Sequence, residues 1–166
     1  MIIEQDIFFT KDECNSIIWD NNQQIVEWDK SDRKYNSYSL IYSDETKWIF
    51  DRLSQFFETK TNIKIRRIKE EIHFHNFKKG NWFGKHNDER ENRVYSVGVM
   101  LNDNFEGGDF KLYNDNEVTL NKIVGNTYVF DAKITHEITP ITKGERYSLL
   151  WFLQGNHIKL DITKLI

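Results

Sequence analysis

From residue 63 onward the chain is a succession of short β-branched and aromatic runs, each cut off by glycine, asparagine or aspartate. The runs fall at 72–77, 93–102, 110–113, 117–120, 127–131, 136–141 and 146–153. Turn chemistry separates them: Lys79-Gly80-Asn81, Asn102-Asp103-Asn104, Glu106-Gly107-Gly108-Asp109, Asn114-Asp115-Asn116, Gly125-Asn126 and Lys143-Gly144-Glu145. Many short strands at this spacing close into a sandwich or barrel. The texture before residue 63 is different. Thr10-Lys11-Asp12-Glu13 has the form of a capping box and predicts a helix start. The stripe Cys14, Ile17, Ile18, Ile25 and Trp28 continues that helix, with fraying expected after Asp20. Residues 35–42 alternate as a half-buried strand does. A second helix follows: Asp44 and Glu45 suit its positive end, and Trp48, Ile49, Leu53, Phe56 and Phe57 form its apolar face up to about Thr61. No repeat, low-complexity tract or linker divides the chain. The expectation is one α+β unit over 1–166, with helical support over about 1–62 and a strand core over about 63–155.

Composition narrows the chemistry. A chain of 166 residues can bury one sizeable core, and its 14 % aromatic content is too apolar for disorder. Lys and Arg number 23 against 26 Asp and Glu, a net charge of -3, so no overall positive field draws the chain to nucleic acid or anionic lipid. The basic cluster Lys64-Ile65-Arg66-Arg67-Ile68-Lys69 runs straight into Glu70-Glu71, the pattern of a solvated strand face. A single cysteine, Cys14, allows neither an internal disulfide nor a thiolate zinc cluster. Any metal site must therefore use histidine and carboxylate. The N-terminus carries acids where a secretory leader needs bases, and no long apolar run follows. A soluble, reducing, cytoplasmic setting without membrane contact is expected.

Of the 5 histidines only His86, in His86-Asn87-Asp88, has an acid two residues later. Chance alone gives about one such pair in a chain this acidic, so the motif needs company. His136 supplies it by opening a strand, and Arg146 opens the next as Arg146-Tyr147-Ser148. Two histidines and a carboxylate can cap one face of an octahedral ferrous ion and leave three positions free. His86 and Asp88, two apart on an extended segment, project to the same side, and His136 on a neighbouring strand can complete the face. Arg146 would give a planar fork to a carboxylate, with Ser148 pointing the same way.

The stretch from about residue 72 to 151 resembles the iron(II) and 2-oxoglutarate dependent dioxygenases, in the prolyl 4-hydroxylase-like branch that includes phage and bacterial peptidyl hydroxylases. The resemblance is carried by Phe77-x-x-Gly80, His86-x-Asp88, residues 96–102, Phe105-Glu106-Gly107-Gly108-Asp109-Phe110, residues 125–130 and the continuous segment from His136 to Trp151, in the family's order and at its intervals. It implies a double-stranded β-helix (jelly-roll) core with two N-terminal supporting helices. It implies Fe(II) held by His86, Asp88 and His136, the 2-oxoglutarate C5 carboxylate held by Arg146 with Ser148, and dioxygen as co-reactant. Product, succinate and CO2 would follow, with ascorbate supporting turnover and a peptide or protein as partner. Two positions depart from the family pattern. Prolyl 4-hydroxylases usually place Tyr at Phe77 and Thr at Phe110, so the pocket should lean on Arg146, Ser148 or another hydroxyl such as Tyr95. Arg146 itself often stands as Lys in relatives, a change benign for carboxylate binding.

Other readings compete. His86, Asp88 and His136 could be a core histidine, a turn acid and a second histidine that never meet, or a metal site without catalysis in a cupin-like domain. Arg146 could pair with Glu145 or Asp131 at a strand start. His73 and His75 share a strand face with Phe77 and could line a pocket or be plain strand residues. Trp82 and Phe83 could grip a peptide or close the barrel mouth. Gly107 and Gly108 should take positive φ in a hairpin. A nucleic-acid oxidative demethylase is the alternative within the class, but those enzymes carry a second Arg six residues past the first, where this chain has Phe152.

Overall fold

The computed structural model describes residues 1–22, 26–66 and 71–160. In chain order the elements are β1 (Ile3–Ile7), α1 (Lys11–Asn21), β2 (Val26–Lys30), β3 (Arg33–Ile41), α2 (Lys47–Thr61), β4 (Ile63–Ile65), β5 (Glu71–Phe77), β6 (Trp82–His86), β7 (Arg93–Met100) and β8 (Glu106–Gly107). They continue as β9 (Phe110–Tyr113), β10 (Glu117–Thr119), β11 (Asn126–Asp131), β12 (Thr135–Ile138), β13 (Ile141–Lys143), β14 (Arg146–Gln154) and β15 (Ile158–Leu160). No helix among the described residues is long and apolar enough to cross a membrane.

The capping box at α1 forms as expected: Thr10 Oγ1 accepts from the Glu13 amide at 3.1 Å, and the Thr10 amide donates to Glu13 Oε1 at 2.9 Å. The helix stops at Asn21, whose side-chain amide donates to the Ile17 carbonyl at 2.7 Å in the last turn. Trp28 therefore belongs not to the helix but to β2, which pairs with β3; Ile25 lies outside the described residues, as do Arg67, Ile68, Lys69 and Glu70 of the basic cluster. Asp44 and Glu45 precede the Thr46 N-cap of α2 rather than entering its first turn.

Eleven strands form one antiparallel sheet in the order β1-β11-β7-β14-β5-β3-β6-β12-β9-β10, with β2 added on β3. The sheet curls on itself at β3, which pairs with β5 along residues 36–41 and with β6 at Arg33 and Lys34. The result is the expected jelly-roll, one leaf running from β1 to β3 and the other from β6 to β10. The first 62 residues do more than support it, since β1, β2 and β3 are part of the sheet.

Strand periodicity sorts side chains between two cores. On the outer face of the larger leaf, Phe74, Val97, Val99, Val129, Leu149 and Trp151 pack against Cys14 and Ile17 of α1 and Ile49, Phe50, Leu53, Phe56 and Phe57 of α2. Phe50 meets Trp151 edge-on at 5.5 Å between ring centroids. The alternate residues of the same strands, among them Phe77, Met100, Tyr128, Phe130 and Leu150, turn inward and meet Phe83, Phe110, Leu112 and Ile138 of the other leaf. The helices fill one side of the larger leaf. The other side is left for chemistry.

Candidate active site

His86 ends β6 and His136 lies on β12, and the two are directly paired across the antiparallel ladder. Their rings lie 4.3 Å apart. Asp88 follows β6 on an extended segment anchored by its amide, which donates to the Ala132 carbonyl at 3.0 Å. Asp88 Oδ1 is 3.6 Å from His86 Nε2, and Oδ2 is 3.4 Å from His136 Nε2. One donor atom from each of the three lies within 4.8 Å of the others.

Backbone carbonyls set the tautomers. His86 Nδ1 lies 2.6 Å from the Gly84 carbonyl and His136 Nδ1 lies 2.9 Å from the Ile134 carbonyl, each two residues upstream. A carbonyl only accepts, so both Nδ1 atoms carry the hydrogen and both Nε2 atoms present bare lone pairs to the carboxylate. Three electron-rich groups facing one another call for a cation between them. Ser96 Oγ donates to Asp88 Oδ2 at 2.6 Å and fixes the carboxylate. Phe83 stacks on the His86 ring at 3.7 Å, and Phe110 stacks on His136 at 5.4 Å with Phe130 edge-on at 4.8 Å. The donor set fits a ferrous ion: two neutral imidazoles and one carboxylate on one side, with an open cavity on the other.

Burial pushes the His86 imidazole down to about 4, helped by the His136 ring beside it. Burial also lowers His73 and, more strongly, His75. For Asp88 burial acts in the opposite sense, but the facing imidazoles when protonated, His136 foremost, and the Ser96 hydroxyl outweigh it and hold the carboxyl below its ordinary range. These directions fix a pH dependence for the metal-free protein. Below about pH 6.5 the unfolded chain takes up protons that folded His86, His75 and His73 refuse, so stability falls as pH drops from about 7 toward 4. Asp88, being depressed, keeps its charge through that window. His86 alone accounts for about 2 kcal/mol by pH 5. Chelator-treated protein is expected to need less urea to unfold at pH 5 than at pH 7.5; equal midpoints would contradict the burial of these rings.

Arg146 opens β14 and is 1 % exposed. Its Nη1 donates to Ser148 Oγ at 2.9 Å, while Nε and Nη2 have no hydrogen-bond partner among the described residues. The guanidinium carbon lies 5.5 Å from the Phe77 ring centroid and 5.8 Å from that of Phe110. The two positions that lack hydroxyls thus flank the cation with ring faces. Neither Glu145 nor Asp131 pairs with Arg146; Glu145 accepts from the Tyr147 hydroxyl instead. Burial lowers the Arg146 pKa, and its charge faces the Tyr128 phenol. A buried guanidinium with two unanswered nitrogens fits an anionic ligand such as the carboxylate of a diacid.

Two glycines make room here. A Cβ on Gly98 would lie 2.6 Å from the Tyr128 hydroxyl and 2.5 Å from the Leu149 carbonyl, so only glycine lets Tyr128 cross β7 toward Arg146. Gly108, at φ +62, is packed against the Arg146 stem, where a Cβ would come within 3.3 Å of its Cδ.

The triad opens into one cavity of about 230 Å³, large enough for a small organic acid, and Ser148, which holds the buried Arg146, is part of its wall. Its walls include Tyr35, Ser37, His75, Tyr128 and Ser148, with Trp28, Arg33, Arg90, Arg93 and Phe152 toward the outside. His75 thus lines the pocket, as does His73. Tyr95 does not, because β7 turns it outward against Phe57 at 5.4 Å. Beside Ser37 and Ser148, the cavity wall carries the phenols of Tyr35 and Tyr128, which the sequence reading missed. Gly98 inside a β-branched run was the available signal for Tyr128, since such a glycine marks a close approach. Phe83 lines the cavity while Trp82 stays beside Gly84. Gly107 and Gly108 take positive φ, but Gly107 pairs with Ile141 of β13 instead of sitting at a hairpin tip. Phe152, the position at which a demethylase needs its second arginine, lies beneath the Arg93 guanidinium at 3.8 Å.

Residues 72–154, half of the chain, match the model of the 2OG-Fe(II) oxygenase superfamily. The chain belongs to that superfamily. This is an enzyme family, and the His86, Asp88 and His136 cluster lies within the matched segment. No curated protein matches in sequence. Among solved structures, a Pseudomonas putida prolyl-4-hydroxylase is similar at TM-score 0.75 and 18 % identity, covering 92 % of each chain. The viral collagen prolyl hydroxylase of Paramecium Bursaria Chlorella virus-1, a 2OG complex, gives TM-score 0.72 and 16 % identity over 96 % of this chain and 97 % of that one. A prolyl hydroxylase from Trichoplax adhaerens, in complex with a hypoxia inducible factor peptide fragment, gives 0.73 and 16 % over 93 % and 84 %. At these identities the likeness is one of fold, and it agrees with the jelly-roll described above.

Proposed function

We propose that the chain acts as one domain over residues 1–166 and is a ferrous- and 2-oxoglutarate-dependent dioxygenase that hydroxylates a C–H bond of a peptidyl, prolyl-type substrate. The observation that carries this reading is a three-donor metal site on a small cavity walled in part by Ser148, the residue that holds a buried guanidinium with two nitrogens unpaired among the described residues. Bound iron would supply the oxidative chemistry that couples decarboxylation of 2-oxoglutarate, with dioxygen, to insertion of one oxygen atom into the substrate, leaving succinate and CO2.

The protein's own residues bind, orient and exclude water. His86 and His136 direct bare Nε2 lone pairs at the metal because Gly84 and Ile134 hold their Nδ1 hydrogens. Asp88, tied by Ser96, supplies the one negative charge. Arg146 receives the C5 carboxylate of the diacid through Nε and Nη2, its third corner already fixed on Ser148. Phe77, Phe83, Phe110 and Phe130 keep water from these groups and so strengthen each charge interaction.

A peptide as the oxidised partner is supported by the likeness to three prolyl hydroxylases, one of them bound to a peptide fragment. The exposed Trp28 at the rim offers an apolar surface for such a chain. The buried thiol of Cys14 suits a reducing cytoplasm. The test is incubation of the purified protein with ferrous iron, 2-oxoglutarate, ascorbate and a proline-containing peptide library. Succinate release, with a mass gain of one oxygen atom on peptide proline, is expected. Succinate release with oxygen found only on nucleobases or on free small molecules would reject the peptidyl assignment.

A further inference from the structure

His75 is a buried polar side chain of the cavity that forms no hydrogen bond with another described residue. It occupies the middle of β5, in register with Ser37 of β3 on one side and Ser148 of β14 on the other. It is 7 % exposed and lines the cavity. Its contacts are rings alone: Tyr35 at 4.9 Å, His73 at 6.1 Å and Phe77 at 6.2 Å between centroids. Neither ring nitrogen is among the fully buried unpaired atoms of the described residues, and with no hydrogen bond to another described residue they are accessible from the cavity that His75 lines. The two triad histidines of the same cavity are held by carbonyls, and Ser148 is taken up by Arg146. An imidazole that faces a cavity without a protein partner keeps its donor and its acceptor available to whatever binds there.

Position says which ligand. Alternation along β5 puts Phe77 and His75 on the same inward face, and Phe77 is in register with Arg146. His75 is therefore one inward step along β5 from the residue paired with Arg146, and level with Ser148, which lines the cavity and holds that guanidinium. The more exposed His73 is one step further out. We propose that His75 is a co-substrate-binding residue, donating its imidazole N–H to a carboxylate oxygen of the 2-oxo diacid that Arg146 anchors. It takes up hydrogen bonding that the apolar Phe77 and Phe110 cannot give. Burial, together with the charges of His73 and Arg146, keeps the ring neutral, with one hydrogen to donate and one lone pair. The proposal rests on the co-substrate reading above and names a residue for it.

The test is calorimetric titration of 2-oxoglutarate into protein loaded with Mn(II) in place of iron, so that nothing turns over. His75→Leu is expected to weaken 2-oxoglutarate binding by about tenfold or more, the loss of one hydrogen bond to a charged group. His75→Gln, which keeps an N–H donor, should stay within about threefold of the native protein. Mn(II) affinity measured without 2-oxoglutarate should be the same in all three, which also shows that the variants are folded. Native-like 2-oxoglutarate binding by His75→Leu overturns the assignment, as does a loss shared equally by His75→Gln or by Mn(II) affinity. A native protein that binds Mn(II) and not 2-oxoglutarate overturns the co-substrate reading as well. The two failures are thereby distinct.

Discussion

Asp88→Asn is expected to weaken divalent metal binding by ~100-fold or more and to bring 2-oxoglutarate turnover to background. Removing even a partner that merely orients a ligand costs about 10- to 100-fold in metal affinity, and Asp88 is the only anionic donor of the cluster. Asparagine keeps the shape of the side chain, so the effect isolates the charge. His136→Ala should match it in activity but also loses packing against Phe110 and Phe130, and His86→Ala does the same beneath Phe83. Metal titration by calorimetry, beside circular dichroism to confirm folding, reads the result. An Asp88→Asn protein that holds metal as tightly as the native chain would falsify the assignment of the site.

Arg146→Met carries the second large effect, and it has two opposed parts. Methionine fills much of the same volume without charge. Binding of 2-oxoglutarate should weaken by about 10- to 150-fold, the value of a shielded charge-assisted contact. Stability of the ligand-free protein should hold or rise, because Nε and Nη2 of the buried Arg146 have no partner among the described residues. The measurements are the KM for 2-oxoglutarate and the urea midpoint. A large fall in stability with KM unchanged would mean that Arg146 is a structural cation.

Much of this site was legible because its key residues are close in sequence or start strands. His86 and Asp88 are two apart, and His136 and Arg146 stand at or near strand starts that hydrophobic alternation picks out. β9 falls where the alternation puts it, and the α1 cap follows from four consecutive residues. Other parts were not legible, for physical reasons. β6 contains Gly84 and Lys85 among its five residues and so reads as a loop, although it positions His86. β1 is an edge strand with three of its five residues exposed, which leaves little apolar pattern to read. Tyr35 and Tyr128 reach the cavity only because distant strands curl together, and their own alternation suits a plain core equally well. Tyr95 was a reasonable candidate for a hydroxyl, but its parity on β7 points it at α2 instead.

The double pairing of β3 has a mechanical consequence. Its first residues are tied to β6 and the rest to β5, so both walls of the reaction chamber hang from one continuous piece of backbone. Such a chamber cannot gape open like a clam, since spreading it would tear ladder hydrogen bonds from a single strand. Access to the cavity is thus governed by the side chains around it, Trp28 and Arg33 among them, and favours slender groups over bulky ones.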